Sequence, residues 1–214
     1  MIQLSARFIS ILLFLLSGAT VLARTLGGVQ PSNPATDGFT QSCDGKPQPC
    51  WYGVVPGITS GSEAYRLLEA AGYTRTSITP ARYGDEAHVY KKGSGDGLCQ
   101  IILQYNPNNQ HIQRIQLDCE SVQFGDMIAA KGMPSGIQKT SGYAPRLLFA
   151  GNVSAIESVA VDTTSLFSPL GFIDLRSASI SDDFTPTFGW HGLAPLWHYC
   201  ALESAPICAA GTAP

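Results

Sequence analysis

Six cysteines, four histidines and one pair of adjacent aspartates are the residues here with most chemistry to offer. Thiols set two residues apart would point to zinc. None of Cys43, Cys50, Cys99, Cys119, Cys200 and Cys208 forms such a C-x-x-C pair. All six follow an apolar N-terminal run, and an even number of cysteines in an exported chain implies disulfides. Their spacing predicts Cys43–Cys50, Cys99–Cys119 and Cys200–Cys208; a Cys50–Cys200 bridge is the alternative that ties the chain ends together. His191 and His198 flank Trp197 and would share a face on a helix. With Asp182 or Asp183 they would supply the base of a hydrolase. Pro195, standing between them, opposes a regular helix. Asp182-Asp183 lacks the spaced oxygen ligands that calcium needs. His88 and His111 stand alone. No G-x-S-x-G, H-E-x-x-H or P-loop is present. Gly93-Ser94-Gly95-Asp96-Gly97 leads into a strand and is a turn, with no helix N-terminus to face a phosphate. No catalytic residue, metal or cofactor is therefore assigned. Asn152-Val153-Ser154 matches the glycosylation sequon, which has meaning only in a eukaryotic secretory pathway.

Composition narrows the class. The 214 residues are 44% hydrophobic and only 14% charged, with a formal net charge of -3. That balance supports a sizeable core. It excludes the basic stripe that nucleic acid requires and any electrostatic hold on anionic lipid. Arg7 precedes an uncharged run from Phe8 to Ala23, and Val21-Leu22-Ala23 supplies small residues for signal peptidase. Residues 1–23 read as a cleaved signal or as a retained anchor. The 16 uncharged residues fall just under a full span. Membrane contact is expected only through residues 8–23, and only if they are kept. Either way the remainder is extracytoplasmic, secreted or anchored.

The elements that would position these residues follow from pattern. Residues 24–49, rich in Gly, Pro, Ser and Thr, read as a flexible linker, 50–208 as one domain and 209–214 as a disordered tail. Ser60-Gly61-Ser62-Glu63 fits a capping box ahead of Ala64, Leu67, Leu68 and Ala71, with Gly72 as the stop. Ala87–Lys91 is predicted as the first strand. Leu98–Tyr105 and His111–Cys119 make a hairpin around Asn106–Gln110. One register places Leu103 against Ile115, Ile101 against Leu117 and Cys99 against Cys119. A second helix is predicted over Phe124–Lys131, ending at Gly132. Further strands are predicted near Ile137–Thr140, Arg146–Ala150, Ala155–Val161 and Phe172–Leu175. This order implies an α+β fold, an antiparallel sheet with two helices on one face. Each half opens on a helix and continues in strands, as a diverged repeat would.

One echo is unusual. Trp51-Tyr52-Gly53-Val54-Val55-Pro56 and Trp190-His191-Gly192-Leu193-Ala194-Pro195 share the form W-x-G-φ-x-P, where φ is apolar. Two readings stand: paired tryptophans closing the ends of a core, or an exposed aromatic patch that docks a partner. In the second, Trp51, Tyr52, Trp190, His191 and Trp197 are the binding residues.

Pro49-Cys50-Trp51-Tyr52-Gly53-Val54-Val55-Pro56-Gly57-Ile58-Thr59, with Glu63-Ala64 and Leu67-Leu68, resembles a group of bacterial extracytoplasmic proteins sharing P-C-W-x-G-[IV]-x-P-G-x-T. Phe124-Gly125-Asp126-Met127-Ile128, Gly132-Met133-Pro134 and Trp190-His191-Gly192 resemble the same group. Pro56-Gly57-Ile58-Thr59 before a helix is similar to the SmpA/OmlA-type lipoproteins and to the β-lactamase-inhibitor-like fold. The resemblance to that fold implies helices packed on a sheet and a sheet that binds protein. The lipidated cysteine of the lipoproteins is missing, so their assembly role is not carried over. The expectation is a non-catalytic envelope or secreted module binding a protein or cell-wall partner. The alternatives are an inhibitor-like protein blocking an enzyme through its sheet face, and a hydrolase using His191 or His198 with Asp182 or Asp183.

Overall fold

A computed structural model describes residues 17–18, 33–81, 84–92, 99–119, 121–138, 146–157, 168–177, 188–190 and 192–193. The chain divides into two units, Met1–Ser32 and Asn33–Pro214. Of the first, only Ser17 and Gly18 are described, both helical.

The second unit opens earlier than the sequence implies. Asn33 caps a short helix α1, Pro34–Asp37, by accepting the Ala35 amide on Oδ1 at 3.1 Å. Ala35, Phe39 and Cys43 are buried. Residues 33–49, read as linker, are therefore folded chain: a few apolar side chains spaced among turn residues anchor the segment on the core. Helix α2, Gly61–Ala70, starts at Ser60, whose Oγ accepts the Glu63 amide at 3.3 Å. Helix α3, Phe124–Lys131, starts at Gln123, whose amide is held by Asp126 Oδ2 at 2.9 Å, and stops at Gly132 with φ of 80°.

Among the described residues nine antiparallel strands form one sheet. They are β1 Thr74–Pro80, β2 Glu86–Lys91, β3 Cys99–Asn106, β4 His111–Cys119, β5 Gly136–Gln138, β6 Arg146–Phe149, β7 Val153–Glu157, β8 Leu170–Arg176 and β9 Phe188–Gly189. The spatial order is β1-β2-β3-β4-β8-β7-β6-β5-β9. The expected hairpin holds: Cys99, Ile101 and Leu103 face Cys119, Leu117 and Ile115. Cys43–Cys50 and Cys99–Cys119 are disulfides. Cys200 and Cys208 lie outside the described residues. Ala87–Lys91 is not the first strand, because β1 precedes it. The seven residues of β1 are all exposed, so no apolar alternation announces it.

Because opposed residues in a sheet share a face, one row of side chains runs across eight strands: Phe188, Ile137, Leu147, Ala155, Ile173, Leu117, Ile101 and Tyr90. Every member is buried and belongs to the main hydrophobic cluster. Ala64 and Leu68 of α2, with Phe124 and Met127 of α3, join the same cluster.

The two stretches from helix to fourth strand make matching contacts. Ile112 donates its amide to Thr59 O at 3.0 Å, and Gly61 donates to Gln110 O at 3.1 Å. Correspondingly, Leu170 donates to Val122 O and Phe124 to Ser168 O, both at 2.9 Å. Thr59 and Val122 each precede an N-cap; Gly61 and Phe124 each follow one. A bulge follows directly on Ile112 at Gln113, and another on Leu170 at Gly171. At the middle of the sheet β4 pairs with β8, Ile115 opposite Leu175, Gln116 opposite Asp174 and Leu117 opposite Ile173.

Candidate binding surface

The P-G-x-T motif builds a fastening. Thr59 Oγ1 accepts the Val55 amide at 2.8 Å, and the Thr59 amide returns to Val55 O at 2.9 Å. Between them Gly57 turns the chain with φ of 83°, where a Cβ would fall 2.9 Å from Ser177 Cβ. Thr59 O and the Gly57 amide then engage the amide and carbonyl of Ile112 at the start of β4. The motif holds α2 to the sheet.

Trp51 is wholly buried. Its Nε1 donates to Ala35 O at 2.7 Å, which satisfies the one polar atom of the indole. Tyr52, also buried, meets it edge-on at 4.7 Å between ring centroids, and Tyr73 lies 5.6 Å away. Burial pushes the hydroxyls of Tyr52 and Tyr73 above the ordinary tyrosine range, with Asp37 adding to both. Lys92 Nζ sits 5.2 Å from the Tyr73 ring centre. Trp51 and Tyr52 thus offer no docking surface; the first half of the tryptophan echo closes the core. Trp190 is half-buried and meets Phe124 edge-on at 5.7 Å. His191, Trp197, His198, Asp182 and Asp183 lie outside the described residues.

His88 sits in β2 with Nε2 2.9 Å from Glu86 Oε2 and its ring 5.4 Å from Tyr105. His111 opens β4. Asn152, the sequon position, lies in the β6–β7 turn with φ of 56° and accepts the Arg176 amide on its carbonyl at 3.2 Å. No group of three or more His, Cys, Asp or Glu side chains forms a metal-holding cluster among the described residues.

The site that sequence reasoning missed is on the other face of the sheet. Asp174, fully buried in β8, accepts Arg114 Nε on Oδ1 at 2.6 Å and Arg176 Nε on Oδ2 at 2.9 Å. Arg114 and Arg176 are direct cross-strand partners. Two like charges so placed repel unless an anion lies between them. Ser154, opposite Asp174 on β7, is buried, and its Oγ has no hydrogen-bond partner among the described residues. Toward β3 this face is half-exposed and mostly polar: Gln100, Gln104, Arg114 and Gln116 surround Ile102, with Asp118 exposed. Gln104 Nε2 donates to Asp85 Oδ2 at 2.9 Å. No sequence signal marks this patch, since it exists only once β4 lies beside β8.

Among the described residues no helix is long and apolar enough to cross a membrane. The two disulfides are consistent with an extracytoplasmic protein. No family model matches the chain, nor does any curated protein or solved structure.

Proposed function

We propose that the chain is an exported, non-catalytic module that binds a protein or cell-wall partner through the polar face of its sheet. The observation that carries this reading is the contrast between the two faces. One is a continuous buried apolar row, while the β3–β4 part of the other is half-exposed, glutamine-rich and bears Arg114 on a fixed carboxylate. Such a face is rigid before it meets a partner, so little ordering opposes binding. In this reading α2 and α3 both pack on the apolar face, leaving the β3–β4 part of the polar face open to a partner. The matched helix–strand contacts and bulges support reading the halves as diverged copies joined at β4 and β8. The signal-peptide reading of residues 1–23 supplies the export.

A photocrosslinker at Gln116 on the polar face, introduced into the exported full chain, tests the proposal. Crosslinks to a discrete partner are expected there, and Arg114→Glu is expected to abolish them. Crosslinks arising only from the exposed Glu69 on α2 would move the binding surface to the helices. His191→Ala and His198→Ala are expected to leave partner capture intact. A loss of biological activity in either variant, with folding retained, would instead favour the hydrolase.

A further inference from the structure

We infer that the outer edge of β1 is a docking strand for an extended segment of a partner protein carrying an aromatic residue followed by glycine. The inference rests on the reading of the two halves as copies. It starts from how alike β1 and β5 are built. Ser135 donates its hydroxyl to Leu148 O at 3.1 Å, just before Gly136 pairs with Leu148. Thr76 donates its hydroxyl to Val89 O at 3.2 Å, just before Ser77 pairs with Val89. The next residue is isoleucine in both strands, Ile137 and Ile78.

The two isoleucines then differ sharply. Ile137 is 2% exposed because β9 lies alongside β5, with Phe188 opposite Ile137 and Gly189 opposite Gly136. Trp190 follows and meets Phe124 at the start of α3. Ile78 is 49% exposed, and among the described residues no strand pairs with the outer side of β1. Yet Ile78 shares a face with His88 and Leu103, the face that carries the core. It is a core-face position with its cover missing. The segment that covers its counterpart is seated on β5, and among the described residues no second strand reaches the outer side of β1, so the occupant is assigned to a partner protein.

The backbone of β1 is ready to receive it. Ala81 donates its amide to Asp85 O at 2.8 Å across the β1–β2 turn. By the two-residue alternation of an antiparallel pair, Thr79 and Ser77 also face β2, and Ile78 turns its N–H and C=O outward. Pro80 shares the outward side but has no N–H, and Thr76 is bulged. These two features prevent long edge-to-edge pairing. They leave a short pairing centred on Ile78, the size of the contact between β5 and the two residues of β9. Strand addition of this kind takes its affinity from main-chain bonds and its specificity from the side-chain seat. Here the seat fits an aromatic residue opposite Ile78 and glycine opposite Ser77.

A capped synthetic peptide of the chain's own Thr187-Phe188-Gly189-Trp190-His191-Gly192 sequence is the probe, added to the full-length protein. Binding is expected to slow hydrogen exchange at the Ile78 amide and leave Ile137 unchanged. Ile78→Asp alters an exposed residue and is expected to weaken binding at least ~10-fold, the scale of losing one apolar burial. N-methylation of the peptide phenylalanine, which removes its N–H, is expected to abolish binding. Equal binding by Ile78→Asp, or no protection at Ile78 with peptide at millimolar concentration, would overturn the inference. So would a concentration-dependent dimer that Ile78→Asp dissolves, since the edge would then serve a second copy. None of these readouts involves Arg114 or Gln116, so failure here and failure of the polar-face reading are separate results.

Discussion

Trp51 shows how one residue can be conspicuous in a sequence for reasons of packing. Its indole is buried with its N–H satisfied, and a Cβ at Gly38 would land on the ring itself. Gly38→Ala is therefore expected to destabilise by ~1–3 kcal/mol through overpacking. Trp51→Ala is expected to cost ~3–5 kcal/mol through the void it leaves. Urea denaturation measures both, and a neutral Gly38→Ala would show that the indole has room to shift. The tyrosines beside it govern behaviour at high pH. Burial raises Tyr52, Tyr73 and Tyr90 above the ordinary value of 10.0. Their folded-state values lie above their unfolded ones, so the unfolded chain loses these protons first. The stability they contribute is complete below pH 10 and is lost as pH rises through the folded-state values. In an absorbance titration of tyrosinate, these three are expected to ionise above pH 10, in step with alkaline unfolding. Ionisation of Tyr52, Tyr73 and Tyr90 near pH 10 with the fold intact would contradict that burial.

At the scale of elements, the hairpin of β3 and β4 was legible because two independent signals agreed on one register. Alternating apolar residues aligned Ile101 with Leu117, and the same alignment joined Cys99 to Cys119. The bridge closes a separation of 20 residues against 7 for Cys43–Cys50. Loop-closure entropy gives about 3 and about 2 kcal/mol respectively. Paired Cys→Ser variants, compared by chemical denaturation, are expected to rank in that order. The reverse ranking would place residual structure in the unfolded 99–119 segment. Helix α2 was legible from its Ser60 cap and the Gly72 stop, and α3 from its apolar Met127 and Ile128 with the stop at Gly132, whereas its Gln123 cap was not. Ser60→Ala, which removes an N-cap acceptor, is expected to cost ~1 kcal/mol. What pattern could not reveal were the elements without periodicity of their own. β1 has no buried side chain to alternate, and β9 has only two residues. α1 hides its buried Ala35 among turn formers.

At the scale of the molecule, the α+β class and the antiparallel sheet could be anticipated from element order. The candidate site could not, because Arg114 and Asp174 meet only when two strands distant in sequence become neighbours. The polar patch forms along the seam where β4 meets β8. That seam carries a testable consequence. Arg114 and Arg176 stand directly opposite each other, and the Asp174 carboxylate bonds both. Asp174→Asn keeps the shape but removes the negative charge, leaving two guanidinium groups opposed. Breaking a buried ionic set by removing one partner costs ~3–5 kcal/mol, and here the partner removed is the carboxylate that bonds both guanidinium groups. Asp174→Asn is expected to fall in that range by urea denaturation. Asp174→Leu combined with Arg176→Met replaces a buried pair by apolar groups and is expected to recover most of the loss. Arg114 is less buried than its two partners, so Arg114→Met is expected to cost less stability than Asp174→Asn yet still abolish crosslinking from Gln116. Equal denaturation midpoints for Asp174→Asn and the unaltered chain would mean that both arginines find compensation elsewhere, and the cluster would then not be what fastens β4 to β8.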